Sequence, residues 1–379
     1  MGGDSHPLVT RTGSLSLDQA YLDTTYQIVG HCRRTVAVLK QALEVVASDR
    51  RADTYGQGEI IESFQQKVAN YLGKDSAIFF PSGTMAQQIA LRVWCDRAKI
   101  PRVAYHPLCH LEIHEEGGLQ QLHHIEAILL GAPDRLITVA DVQDFQTSVA
   151  ALLLELPQRE LGGLVPEWTD LNDMIDVGRK QGIKMHLDGA RLYETLPYYQ
   201  KSASQVASLF DSVYVSFYKG IGGVAGAVLA GPDDFVREAK VWKRRYGGDL
   251  ISLYPYILAA DYYFDRRIGK MPQYHQEAKD LAASFNQYDN MATRPLVPAT
   301  NMFHVYLDYS KEWVERALVN MYAKSGVGFT TRVTPRGDQT CSFEVSVGDN
   351  YEEIPPHRLQ ESLRVFFEEL SRAGLDLHR

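Results

Sequence analysis

Cysteine is scarce in this 379-residue chain: the four present, Cys32, Cys95, Cys109 and Cys341, lie far apart and form no C-x-x-C pair. Neither a disulfide framework nor a clustered zinc site is expected, and a reducing, cytoplasmic setting suits them. No apolar run approaches the roughly 18 residues that a membrane span requires. The N-terminus is polar and carries no signal-peptide core, so Met1 to His6 reads as a loose tail. Basic tracts are missing too: 39 Lys and Arg against 47 Asp and Glu leave a net charge of -8, which disfavours nucleic acid as a partner. There is no internal repeat and no low-complexity linker. What is there is a soluble, globular composition, 45% hydrophobic and 23% charged, in a chain long enough for two domains.

The most informative stretch runs from Asp211 to Gly231, where Lys219 separates two apolar runs, Val213 to Phe217 and Val224 to Ala230. Both read as buried strands, and Gly220, Gly222 and Gly223 allow a sharp turn that something bulky can approach. A desolvated lysine at such a turn is nucleophilic and suits Schiff-base chemistry; a surface lysine on a glycine-rich hairpin fits the same letters. Upstream, apolar spacing predicts a helix over Leu15 to Ser48, then a turn at Asp53 to Gly58, then a helix over Glu59 to Tyr71 with Gly73 as its C-terminal cap. Strand Ser76 to Phe80 leads through Pro81-Ser-Gly-Thr-Met-Ala86 into a helix over Gln87 to Arg97. That order offers free N–H groups and hydroxyls at Ser82, Gly83 and Thr84, as an anion site needs, although the same residues also serve simply as helix caps.

From Arg102 to Leu187 strands and helices alternate, predicting βαβ units and a mostly parallel sheet with helices on both faces. Asp188 ends one strand, where sites of such folds gather, with Arg191 close by. It reads as an ion-pair partner, a helix cap or the holder of a cationic ring nitrogen. After Gly231 the pattern turns helical. The chain closes with strand Met302 to Leu307, helix Lys311 to Lys324, strands near Val327 to Val333 and Ser342 to Val347, and helix Pro356 to Ala373. We expect an N-terminal helical segment (1–55), a large α/β domain (56–265) and a small α+β C-terminal domain (266–379).

Taken together, the Ser82-Gly83-Thr84 turn, His110, Asp188 and Lys219 resemble the fold-type I pyridoxal-phosphate enzymes, and within them the threonine aldolase/β-eliminating lyase family. The matching motifs are Asp53-Thr-Tyr-Gly56, Phe80-Pro-Ser-Gly-Thr-Met-Ala86, His110 through Glu115 to Gly117-Gly118, Gly162-Gly163, His186-Leu-Asp-Gly-Ala-Arg-Leu192, Ser216-Phe-Tyr-Lys-Gly-Ile-Gly222 and Thr300-Asn-Met302. The resemblance implies pyridoxal 5'-phosphate as cofactor, with Lys219 as its Schiff-base lysine. It further implies Ser82, Gly83 and Thr84 around the phosphate, Asp188 on the ring nitrogen and His110 against the ring as catalytic base. Arg191 would bind the substrate carboxylate. Tyr55 would enter the site from a neighbouring subunit, hence a homodimer or homotetramer with active sites at the interface.

The implied reaction cleaves a β-hydroxy-α-amino acid of the threonine or allo-threonine type to glycine and an aldehyde. β-Elimination or racemisation with the same cofactor, and a non-catalytic α/β binding protein, are the alternatives. His114, His123 and His124 are expected to be structural or surface groups. Three departures stand out. The family's Arg-Ser-Asp-Thr opening is absent, Asp23-Thr-Thr25 being a poor substitute; Gly247-Gly-Asp-Leu-Ile251 lacks an arginine; and Phe343-Glu-Val-Ser-Val347 puts Glu344 where a carboxylate-binding arginine is expected. A carboxylate cannot replace a guanidinium there, so Arg332 or Arg336 is the expected stand-in.

Overall fold

Seven strands make the main sheet: β1 (Ser76–Phe80), β2 (Arg102–Tyr105), β3 (Glu126–Leu129), β4 (Ala151–Glu155), β5 (Lys184–Gly189), β6 (Ser212–Ser216) and β7 (Ala227–Gly231). Their spatial order in this computed structural model, which describes residues 15–376, is β1-β7-β6-β5-β4-β2-β3. The tail read over Met1 to His6 lies outside the described residues. All neighbours pair parallel except β7, which runs against both β1 and β6. The predicted α/β class with a mostly parallel sheet is therefore observed.

Strand β4 shows why such a strand must be continuously apolar. Its Ala151 and Leu153 belong to the core that holds Ile89 and Ala90 of helix Gly83–Ala98. Leu152 and Leu154 belong to the opposite core, with Leu171, Met174 and Ile175 of helix Trp168–Lys180. Two covered faces leave no place for a polar alternation. Six of the seven strands share one direction, so their carboxyl ends, with Asp188 in the last residues of β5 and Ser82, His110, Arg159 and Lys219 after their strands, open onto one edge of the sheet.

The second sheet is antiparallel: β8 (Met291–Arg294), β9 (Met302–Leu307), β10 (Thr334–Gly337) and β11 (Thr340–Ser346), in the order β10-β11-β9-β8. Helices Lys311–Ser325 and Pro356–Asp376 pack against each other beside it. No helix among the described residues is long and apolar enough to cross a membrane.

Two expected elements differ. The helix read over Leu15 to Ser48 is two short helices, Leu17–Leu22 and Ala37–Glu44, with extended chain between them. Tyr26–Gln27 pairs in parallel with Val327–Gly328, Val29 bridges Val347, and Gly30 takes φ +84°. Those strand bonds, supplied some 300 residues away, override a helical spacing that the letters alone suggested. The strand read over Val327 to Val333 is likewise only Val327–Gly328, the chain pairing again at β10.

Candidate active site

Asp188 and Glu155 occupy paired positions on adjacent parallel strands, β5 and β4, at the edge where both strands end. Leu108, His110, His114, Arg159, Ala190, Arg191 and Lys219 complete the pocket that these two carboxyl groups floor. Asp188 is 3% exposed and accepts the backbone N–H of Ala190 at 3.0 Å. Burial raises its pKa, and the Lys219 charge pulls it back down. Glu155 is pushed up to about 8, first by burial and then by the neighbouring Asp188 charge. Lys219 responds in the opposite sense: burial lowers its pKa, while Asp188 opposes the fall. A half-buried amine near a carboxylate at the end of a parallel sheet is the arrangement that favours a nucleophilic lysine.

The turn after β6 delivers that lysine, and it is fastened from behind. Arg267 donates to the Ile221 carbonyl at 2.7 Å and to Asp349 at 2.7 Å. Lys270 and Tyr274 also bond Asp349, and His31 Nδ1 accepts from the Asp349 backbone N–H.

His110 stands on the short helix after β2, its Nδ1 3.0 Å from Glu115 Oε1. Gln88 donates to the other Glu115 oxygen at 3.0 Å, and Glu115 is 9% exposed. With Nδ1–H given to Glu115, Nε2 of His110 is left as the basic nitrogen. His114, expected as a structural or surface group, is exposed and also lines the rim of the same pocket. Its ring centroid is 5.1 Å from that of His110, and its Nε2 is 3.0 Å from Glu160. His123 is buried against Trp242 and Tyr246, as a structural histidine.

Ser82, Gly83 and Thr84 open helix Gly83–Ala98, whose N-terminus has no side-chain cap. A Cβ on Gly83 would overlap the Tyr214 hydroxyl and come within 3.1 Å of that of Tyr218, so only glycine lets the helix start this close to those phenols. The helix is bolted to β5 by His186, fully buried, which bonds Gln87 and Ser212 at 2.7 Å each. Burial holds this imidazole neutral, with its pKa down at about 3. The histidine of the His-Leu-Asp-Gly-Ala-Arg motif is thus a brace that sets Asp188 relative to the helix start.

Arg191 lines the pocket with its guanidinium 3.4 Å from Glu194 and 3.9 Å from Glu344. Two sequence candidates lie elsewhere in the chain. Arg332 lines a neighbouring cleft of about 390 Å³, together with Arg336, His304 and Glu344, which meets the lysine pocket at His114, Arg159 and Glu160. Tyr55 is 47% exposed with φ 47°, its ring under Arg244. Asp53 of the same motif is a helix cap, accepting Leu253 N and Tyr254 N at 2.8 Å each. Glu155 and Arg159 were not among the sequence candidates, and Glu115, quoted within the His110 motif, was given no role. A carboxylate ending an apolar strand was the available signal for Glu155; nothing local marks Arg159.

The β-eliminating lyase family model matches residues 32–309. Low-specificity L-threonine aldolase 1 of Arabidopsis thaliana is 25% identical over 287 residues, 73% of this chain and 79% of that one. Among solved structures, a proposed L-allo-threonine aldolase from Listeria monocytogenes EGD-E superposes with a TM-score of 0.92 at 52% identity, covering 93% of this chain and 99% of that one. A proposed aromatic amino acid β-eliminating lyase/threonine aldolase from Exiguobacterium sp. 255-15 does so with 0.91 at 50% identity over the same shares. With a matched family model spanning most of its length and the motif residues gathered at one sheet edge, the chain belongs to the β-eliminating lyase family.

Proposed function

We propose that the protein is a pyridoxal-phosphate-dependent aldolase that cleaves the Cα–Cβ bond of a threonine-type β-hydroxy-α-amino acid, releasing glycine and an aldehyde. The observation that carries this reading is the meeting of Lys219, Asp188, His110 and Arg191 in one pocket. The residues fit the cofactor. Lys219 would hold its aldehyde through the amine, buried Asp188 would face its ring nitrogen, and the uncapped helix start at Ser82-Gly83-Thr84 would offer N–H groups and hydroxyls to its phosphate. When bound, pyridoxal phosphate supplies a carbonyl for the substrate amine and an electron-poor ring that accepts the pair left by bond cleavage.

The chain's own residues do the rest. Burial keeps a larger fraction of Lys219 unprotonated and ready to react. His110 takes the β-hydroxyl proton at Nε2, its ring aimed by Glu115. Arg191 holds the α-carboxylate. Residues 56–265 would carry the cofactor, and 266–379 supply His304 and Glu344 at the rim. We further infer a homodimer or homotetramer in a reducing cytoplasm: Tyr55, Leu250 and Ile251 form an exposed apolar face, and the four cysteines are free thiols. Glu344 at the rim, in place of an arginine, favours β-elimination or racemisation as the second reading.

The test is aldehyde release from L-threonine, L-allo-threonine and phenylserine by the cofactor-loaded protein. A protein that is yellow, loses its colour to borohydride and yet releases no aldehyde from any of the three would retain the cofactor assignment and end the aldolase one.

A further inference from the structure

Arg159 stands in the same pocket as Lys219 and Arg191, on the turn that follows β4. That turn is built to hold still. Its backbone N–H meets Glu155 Oε1 at 3.2 Å, Gln158 N bonds the Leu164 carbonyl at 2.8 Å, and the Gln158 side chain bonds the Leu108 carbonyl at 2.9 Å. Gly163, at φ +78°, presses it onto β9: a Cβ there would meet Met302 Cγ at 2.5 Å and Thr300 Oγ1 at 2.8 Å. Two of the sequence motifs, Gly162-Gly163 and Thr300-Asn-Met302, therefore serve to seat Arg159.

The guanidinium is set between two carboxylates, Glu160 on its own turn and Glu344 on β11. Arg159 Nε lies 2.9 Å from Glu344 Oε2, while Oε1 of the same carboxylate lies 3.9 Å from Arg191 Nη2. One carboxylate from the second sheet thus bridges two arginines of the lysine pocket. Although burial opposes it, His304, Arg191 and Arg159 hold Glu344 ionised, with its pKa down at about 2. Neither arginine is used up. Arg191 Nε is buried without a partner, and Arg159, which gives Nη1 to Glu160 at 3.2 Å, keeps an Nε that lies in contact range of Glu344 without a hydrogen bond to it. An ion pair that served only to join the two sheets would have both guanidiniums fully engaged. Here two planar forks converge on the lysine pocket with N–H groups to spare, which is what an incoming carboxylate requires.

Resting on the amino-acid substrate proposed above, we propose that Arg159 is a second substrate-binding residue, taking the α-carboxylate together with Arg191, and that Glu344 is the positioning residue that orients it. The probe is titration of the holoenzyme's cofactor absorbance with glycine, which has a carboxylate, and with ethylamine, which has none. Arg159→Ala should weaken glycine binding about ten- to hundredfold, the worth of one charge-assisted bond, and leave ethylamine binding within twofold. Arg159→Lys should fall between, and Glu344→Gln should weaken glycine several-fold with the same indifference to ethylamine. Should Arg159→Ala fail to fold, Arg159→Gln carries the same expectation. Glycine binding unchanged, or both amines weakened equally, overturns the assignment. An unsubstituted enzyme that binds glycine but releases no aldehyde would sink the aldolase reading and leave Arg159 standing; normal cleavage with unchanged glycine binding in Arg159→Ala would sink Arg159 alone.

Discussion

Two charged clusters flank the Lys219–Gly223 turn, built from the same kinds of residue and doing opposite things. Behind the turn, Arg267, Asp349, Lys270, Tyr274 and His31 bond one another and the Ile221 carbonyl. In front of it, Glu155 Oε2, Glu194 Oε2 and Arg191 Nε are buried without a partner, and the pKa values of Asp188, Glu155 and Lys219 are all displaced toward the neutral form by burial. The rear cluster favours its charges: Asp349 is held far below the ordinary carboxylate range by its hydrogen-bonding partners, in spite of burial. A satisfied cluster fastens the chain, whereas an unsatisfied one is held ready for atoms that the chain does not itself supply.

The difference can be broken most severely at the lysine. Lys219→Ala should abolish the borohydride-sensitive absorbance and lower aldehyde release by about three orders of magnitude or more, while leaving the melting temperature unchanged or raised, since a desolvated amine is removed. Loss of folding instead would mean that the front cluster is structural after all. The converse change is Asp349→Ala, which takes the carboxylate from buried Arg267 while Lys270 keeps Glu352, and should cost about 2–3 kcal/mol of stability in urea unfolding. If that variant kept full stability, the rear cluster would not be what fastens the turn.

Smallest and most specific is a pH effect. Because the pKa of Glu155 is raised, the stability it contributes is fully present below the ordinary carboxyl value of about 4.5 and is lost as pH rises toward about 8. Glu155→Gln should flatten that decline in the cofactor-free protein, most visibly at pH 8 in a thermal melt. Glu344 behaves with opposite sign, its contribution being present at neutral pH and lost only as pH falls toward about 2. A melting curve for Glu155→Gln parallel to the parent across that range would remove Glu155 from the unsatisfied cluster.

Sequence patterns located some parts of this molecule closely. Helix Trp168–Lys180 was legible to the residue, with an acid in its first turn and Arg179 and Lys180 in its last; so was strand β9. Helix Glu59–Leu72 ends where Gly73 turns left-handed. The gathering of Ser82, His110, Asp188 and Lys219 was legible because each lies at or after the end of a strand, and parallel strands bring their ends together. The roles of Arg159, Glu344 and Asp349 were not. Their partners lie between 79 and 185 positions away in the chain, in the cases of Arg267, Lys270 and Arg159, and no local period encodes that distance.

By itself, then, the amino-acid order determined the alternation of strand and helix, the glycine turn at the lysine and the family to which the motifs point, because apolar spacing, capping and backbone freedom act between near neighbours. Only the tertiary structure decided which carboxylates are satisfied, that Tyr26–Gln27 becomes strand rather than helix, and that Glu344 bridges two arginines. Those outcomes depend on which groups share a water-excluded space, and burial sets both the strength of a charge and the cost of leaving it alone.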